Sequence, residues 1–584
     1  MITRRSTTWV HFLLRAAALP AAFSLLAGLT PSEAAPRSTD HPYEYADTRD
    51  LVTLVNDAAD LVATKGAKAF TDFRVDGSRW RADDTYVFVL DPDGNMLVHP
   101  DPALEGRNEI ELKDVGGKPI IRGLIAAVTI DPDKPEGWYH YQWPVPRGLL
   151  PRWKSTFVRL VTGPSGKRYI VGSGVYNDRM ERAFVIDMVN NAAAELAKDG
   201  AGALRLFHDP TAPYLAKDAY VFVYDMNGAS LAIPPFPNLE KRELIDMKDA
   251  QGKPIIREML RVVRDKGSGW VDYMWPKPGE SVPTRKSAYV RMANFGDQWV
   301  LVGCGVYLAD APKAKTTTKK MKAAELKALV REAAAMLQQR GEQAFPELRT
   351  KGSRWLSDDT YFFVWKLDGT RVFHAIDPSL EGLDGSSVED VLGRRYGQMF
   401  LDAAASPSGE GWVHYMYPEP GGLFPVWKSV FVKRVTFPSG TPHLIGAGIY
   451  NMQMDRAFVE DLVDRASVRV AEHGPRAFAE LRDKTGPFVF MDTYVFVDTL
   501  DGTELVNAAQ PSLEGKNLID VKDSRGTPLV KDYIAAAMKD GNAWVDYYWY
   551  KPGQNVTMRK HTYVRKVQAG DATYVVGSGV YLPE

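Results

Sequence analysis

The sequence predicts an α+β chain of four tandem domains, each a five-stranded antiparallel sheet with a long N-terminal helix and a short helix. Three observations predict it. A strand pattern, Asp-x-Tyr-[Val/Phe]-Phe-Val, recurs with its tyrosine at Tyr86, Tyr220, Tyr361 and Tyr494. A closing Gly-x-Gly-[Val/Ile]-Tyr recurs at Tyr176, Tyr307, Tyr450 and Tyr581. Successive copies lie roughly 140 residues apart, a domain-sized period rather than a solenoid repeat.

Within copy one the elements follow in order. Leu51, Leu54, Val55, Ala58, Leu61 and Val62 fall at helical spacing. Thr85 to Leu90 reads as the first strand, Asp91-Pro-Asp-Gly94 as a turn, and a second strand leaves it. A short helix opens near Pro119, a residue favoured in the first helical turn. Strands at Gly137–Trp143, Trp153–Val161 and Tyr169–Tyr176 complete the copy. Helices packed on one face of the sheet are the economical arrangement.

Residues 1–35 are expected to be a cleaved export signal. Arg4 and Arg5 lead an apolar run from Ala16 to Leu29, too short for the roughly 20 residues that span a bilayer, and Ser32-Glu33-Ala34 supplies small residues for cleavage. The expected domains are then 48–178, 179–310, 321–453 and 454–584, with a polar, basic linker at 311–320. Copies one and three share Gly-Ser-Arg-Trp (Gly77–Trp80, Gly352–Trp355), and copies two and four share Arg-Ala-Phe-Val (Arg182–Val185, Arg456–Val459). A duplicated pair of domains explains that pattern.

Several function classes are disfavoured. Lysine plus arginine number 72 against 73 acidic residues, so there is no concentrated positive field for nucleic acid. One cysteine, Cys304, cannot form an intramolecular disulfide. No nucleophile–base pair, paired-carboxylate motif or metal spacing recurs in the copies, so neither an enzyme nor a cofactor is expected.

The repeated stretches resemble the single Cache domain family of extracytoplasmic, PAS-like sensor modules. In copy one they are Asp84-Thr-Tyr-Val-Phe-Val89, Val98-His99-Pro100 with Leu104-Glu-Gly106, Lys113-Asp114 with Gly117-Lys-Pro119, Gly137 to Pro144, and Gly172 to Tyr176. Copy three replaces the Lys-Asp-x-x-Gly-Lys-Pro segment with Glu389-Asp-Val-Leu-Gly-Arg-Arg395. The resemblance implies recognition of small organic molecules, short carboxylates or amino acids, and a membrane signalling protein as partner. An exported, periplasmic or extracellular binding module is therefore expected, without a membrane span in the mature chain. A cell-envelope scaffold making only protein contacts is the alternative.

Alternation puts Tyr141 and Trp143 on one face of the third strand and His140 on the other. Their equivalents are Tyr273 and Trp275, Tyr415 and Tyr417, and Tyr547 and Trp549. A lysine follows near the start of the next strand in every copy: Lys154, Lys286, Lys428 and Lys560. A lysine among sheet aromatics is costly unless its charge finds a partner. A carboxylate ligand is one such partner. Asp84, Asp218, Asp359 and Asp492, two residues before each strand tyrosine, are the internal alternative. The family's ligand contacts come from about these strands, which carries the role onto those aromatics and lysines. His99 joins them as a ligand contact or a turn-stabilising hydrogen-bonder. Tyr289, three residues after Lys286, and Tyr563 in the matching place of copy four complete the candidate set.

Overall fold

The computed structural model describes residues 43–584 apart from 83, 146–148, 178, 279, 281–282, 309–320, 358–359, 421–423, 453, 553–555 and 583–584. The expected export signal and the linker at 311–320 lie outside the described residues. Four five-stranded antiparallel sheets share one strand order, second–first–fifth–fourth–third. In copy one these strands are Met96–Val98, Phe88–Leu90, Arg168–Tyr176, Pro151–Thr162 and Glu136–Pro144. The long helices are Ala46–Lys65, Arg182–Asp199, Ala323–Arg340 and Arg456–His473; the short ones are Ile120–Ala127, Ile255–Lys266, Tyr396–Ala405 and Leu529–Asp540.

Helices cover both faces of each sheet, which corrects the expectation of a single covered face. The first strand explains why. Val87 and Val89 pack toward the long helix with Ala58, Val62 and Phe73, while Phe88 and Leu90 pack toward the short helix with Ile121 and Leu124. Both alternating sets are apolar, so neither face can be left to water. The expected strand Thr85–Leu90 also divides: Thr85–Tyr86 pairs with Arg81–Ala82 in a small ribbon before Phe88 joins the main sheet.

Copies associate in pairs through their long-helix faces. Leu51, Val55 and Trp138 of copy one share a core with Phe184, Val185 and Ala192 of copy two. Leu326, Val330 and Trp412 of copy three do the same with Phe458, Val459 and Val463 of copy four. Buried cations tie each pair: Lys118 Nζ donates to the Ala212 carbonyl, and the Arg394 guanidinium donates to the carbonyls of Lys484 and Val489. The other, short-helix face of every sheet holds the candidate site.

Candidate ligand-binding site

The four lysines occupy one ladder position. Lys154 stands opposite Tyr141 on one side and Tyr176 on the other, and Lys286, Lys428 and Lys560 repeat this with Tyr273 and Tyr307, Tyr415 and Tyr450, and Tyr547 and Tyr581. All four are 1% exposed or less. Each ammonium sits over the first-strand tyrosine of its copy, at 3.9 Å from the Tyr86 ring centre, 3.8 Å for Tyr220, 3.8 Å for Tyr361 and 4.2 Å for Tyr494. The closing tyrosine flanks it at 4.9, 5.0, 4.7 and 5.3 Å. Such cation–π contacts offset part of the burial cost. These two tyrosine sets were legible only as repeat markers, yet they form the walls around the lysine.

The closing Gly-x-Gly acquires a physical meaning here. A Cβ on its second glycine would lie 2.6 Å from Lys154 Cε in copy one, with 2.8, 3.0 and 2.8 Å at Lys286, Lys428 and Lys560. A Cβ on the first would strike the first-strand phenylalanine in every copy, at 2.5 Å from Phe88 and 2.5 Å from Phe222. One glycine clears the lysine stem and the other clears the aromatic beneath it.

Among the described residues the aspartates do not pair with these lysines. Asp218 pairs with Lys277 at 3.4 Å and Asp492 with Lys551 at 3.1 Å, while Asp84 is exposed. Asp359 lies outside the described residues. Lys560 donates to the Tyr494 hydroxyl at 3.1 Å, and Lys286 Nζ has no hydrogen-bond partner among the described residues. Burial therefore depresses all four ammonium groups, to about 7 for Lys154, Lys286 and Lys560 and well below the ordinary value for Lys428. The charges of Asp84, Asp218 and Asp492 act from a distance and only partly counter this.

Tyr141, Tyr273, Tyr415 and Tyr547 are buried on this face, with Trp275 and Trp549; Trp143 and Tyr417 are half-buried beside them. Tyr289 and Tyr563 are a correction. They project to the long-helix face, packing on Trp270 at 5.4 Å and Trp544 at 5.3 Å. An offset of three from the lysine is odd, and strand alternation sends it through the sheet. His140 also faces away, hydrogen-bonded to Ser155 at 3.0 Å. His99 stabilises its turn, with Nδ1 accepting from the Asp101 amide at 3.0 Å, and its ring lies 5.2 Å from Tyr86 and 6.2 Å from Trp143. Burial, and then the Lys154 charge, lower it to about 4, so it is neutral at physiological pH. His374 accepts from Asp377 in the same way, and Asn507 from Gln510.

The Lys-Asp segment positions strands instead of facing the lysine. Asp114, Asp249, Asp390 and Asp523 each accept a backbone N–H of the third strand, from Gln142, Met274, Met416 and Tyr548, at 2.7–2.9 Å. Copy three keeps that aspartate although the flanking motif changed. Its centre is filled differently, by Tyr396 stacked on Tyr415 at 4.2 Å.

In copy two Tyr220, Tyr224, Ile255, Met259, Tyr273 and Trp275 bound a small space with room for about one water. Phe424, from the loop joining the third and fourth strands of copy three, packs on Trp275 at 4.8 Å and Phe236 at 5.5 Å. The matching loop of copy one places Leu149 and Leu150 against the short-helix core of copy four. Each even copy thus receives apolar side chains from an odd copy of the other pair.

The sequence model of a Cache domain matches residues 74–181, 210–455 and 471–584, most of the chain. The methyl-accepting chemotaxis protein McpP of Pseudomonas putida is 31% identical over 119 residues, 20% of this chain and 20% of that protein. The sensor histidine kinase MctS of Rhizobium johnstonii is 34% identical over 93 residues, 16% of this chain and 20% of that protein. A solved periplasmic sensor domain of a chemotaxis protein is 31% identical, covering 21% of this chain and 86% of its own, with a TM-score of 0.18. The chain thus spans about a fifth of the length of the curated relatives it matches. Among the described residues no helix is long and apolar enough to cross a membrane.

Proposed function

The chain belongs to the Cache domain family, and from that membership we propose that it is an exported sensory module binding small carboxylates or amino acids. The observation that carries the reading is the set of four buried lysines, none of which forms an ion pair among the described residues, with Asp218 and Asp492 paired elsewhere. A buried ammonium without a counter-ion is expensive, and a carboxylate arriving beside it regains charge-assisted hydrogen bonds in a water-poor site. Tyr141, Trp143, Lys154 and His99 would serve in copy one; Tyr273, Trp275 and Lys286 in copy two; Tyr415, Tyr417 and Lys428 in copy three; Tyr547, Trp549 and Lys560 in copy four. The copy-two space holds about one water, so seating a ligand there requires the core around Trp275, which Phe424 packs against, to open. Similarity to a chemotaxis protein and a sensor kinase supports periplasmic sensing that reports to a membrane signalling protein.

A second reading, an envelope scaffold, is favoured by the apolar side chains that already pack into copies two and four. Thermal melting separates the two. Acetate, propionate and amino acids added to the intact chain should raise its melting temperature progressively with concentration. A melting temperature that none of them moves leaves the scaffold.

A further inference from the structure

Resting on that reading, we infer that the short-helix face of copy four takes an organic cation, a primary or substituted amine, with Asp498 and Glu504 as its counter-ions, unlike the other copies, which place no carboxyl group at that strand pair. The argument begins with one cross-strand pair present in all four copies. Leu90 faces Met96, Tyr224 faces Ser230, Trp365 faces Arg371, and Asp498 faces Glu504, each across the first and second strands at the same register shift. Copy four alone puts two carboxyl groups there.

Both are deeply buried, Asp498 fully and Glu504 at 4% exposure. Alternation from Tyr494 and Phe496 sets Asp498 on the short-helix face. The Tyr533 hydroxyl, from the short helix itself, donates to its Oδ2 at 2.6 Å. Glu504 Oε1 accepts from Asn507 at 2.6 Å. The remaining oxygens, Asp498 Oδ1 and Glu504 Oε2, have no hydrogen-bond partner among the described residues. Two unmatched carboxylate oxygens in a dry core are the electrostatic inverse of the lysine sites and call for a positive donor.

Charge counting sets the ligand class. With both carboxyls and Lys560 ionised, the site carries one net negative charge, which a monocation neutralises and a simple carboxylate worsens. Lys560 is already engaged by Tyr494 and by the field of Glu504. Tyr547 and Trp549 offer aromatic faces for an ammonium, and Leu149 and Leu150 of copy one add an aliphatic wall for its carbon chain. The competing occupant is a proton shared between the two acids. Burial raises both carboxyls, and the Asp498 charge raises Glu504 further. Lys560, Tyr533 and Tyr547 face the pair, with Glu514 acting on Glu504 and Asp492 on Lys560. A bound cation would displace that proton.

The test is calorimetric titration of the intact chain with propylammonium chloride and, separately, sodium propionate, in wild type, Asp498→Asn and Glu504→Gln. Propylammonium should bind wild type and lose at least tenfold in affinity in each variant, with propionate affinity in the other copies unchanged. Absent propylammonium binding, or binding equal in all three proteins, overturns the inference. Absent propionate binding to wild type instead removes the carboxylate reading and leaves the amine site standing. Should a variant lose cooperative melting, wild-type heats with propylammonium in phosphate and in MOPS, a bulky zwitterion with no primary ammonium, decide. A buffer-dependent heat reports the displaced proton, and identical heats overturn the inference.

Discussion

Lys286 is held between Tyr220 and Tyr307, fully buried and without a hydrogen-bond partner among the described residues. Lys286→Met keeps the stem and removes the charge. The melting temperature should hold or rise, because the desolvation cost disappears, while carboxylate affinity at copy two falls one to two orders of magnitude, about 1.5–3 kcal/mol. The depressed lysines also fix a pH dependence. An unfolded lysine stays charged to about pH 10.4, whereas the folded ones discharge near 7. Each therefore lowers stability most below pH 7, and that penalty fades as pH rises toward 10.4. Carboxylate binding runs the opposite way: it needs the ammonium, so affinity should weaken as pH climbs from 7 to 9, with proton uptake on binding readable by calorimetry. The lysines and third-strand aromatics were legible because a period of two decides a strand face. Tyr289 and Tyr563 were misassigned by counting proximity instead of parity. Asp498 and Glu504 passed unread because their pairing depends on a register shift after the turn.

At the scale of the element, the closing strand is shaped by what its glycines leave out. Gly305→Ala would place a Cβ 2.8 Å from both Lys286 Cε and the Ser287 carbonyl. Overpacking of this kind costs about 1–3 kcal/mol, so the melting temperature should fall and the Lys286 ammonium should be displaced from Tyr220. The loop before the short helix is held by one aspartate per copy. Asp249→Ala removes acceptors for the backbone amides of Met274, Gln251 and Lys253, and should destabilise copy two by about 1–3 kcal/mol in denaturant melts. Helix and strand identities followed from hydrophobic period. The two-sided covering of the sheet was also written in the first strand, where Phe88 and Leu90 alternate with Val87 and Val89, but a sheet apolar on both faces reads the same as a short apolar run.

At the scale of the whole molecule, four copies act as two pairs that reach into one another. Pairing was legible in the motifs shared by alternate copies. The reciprocal loops were not, because Leu149-Leu150 and Phe424 lie in turns whose partners are more than a hundred residues away and leave no periodic signal. Phe424→Ala should lower the melting temperature, since the half-buried ring gives up part of the roughly 1.5–3 kcal/mol that full burial of a phenylalanine is worth. It should also raise carboxylate affinity at copy two several-fold, because seating a ligand no longer displaces the ring.

The central claim, that buried lysines are counter-ions for a carboxylate ligand, is tested most directly by titrating propionate into the intact wild-type chain and its Lys154→Met/Lys286→Met double variant. The account predicts saturable binding in wild type and a drop of at least tenfold in the affinity of copies one and two in the variant, with an undiminished melting temperature. Propionate affinity unchanged in the variant, accompanied by a lower melting temperature, would contradict it.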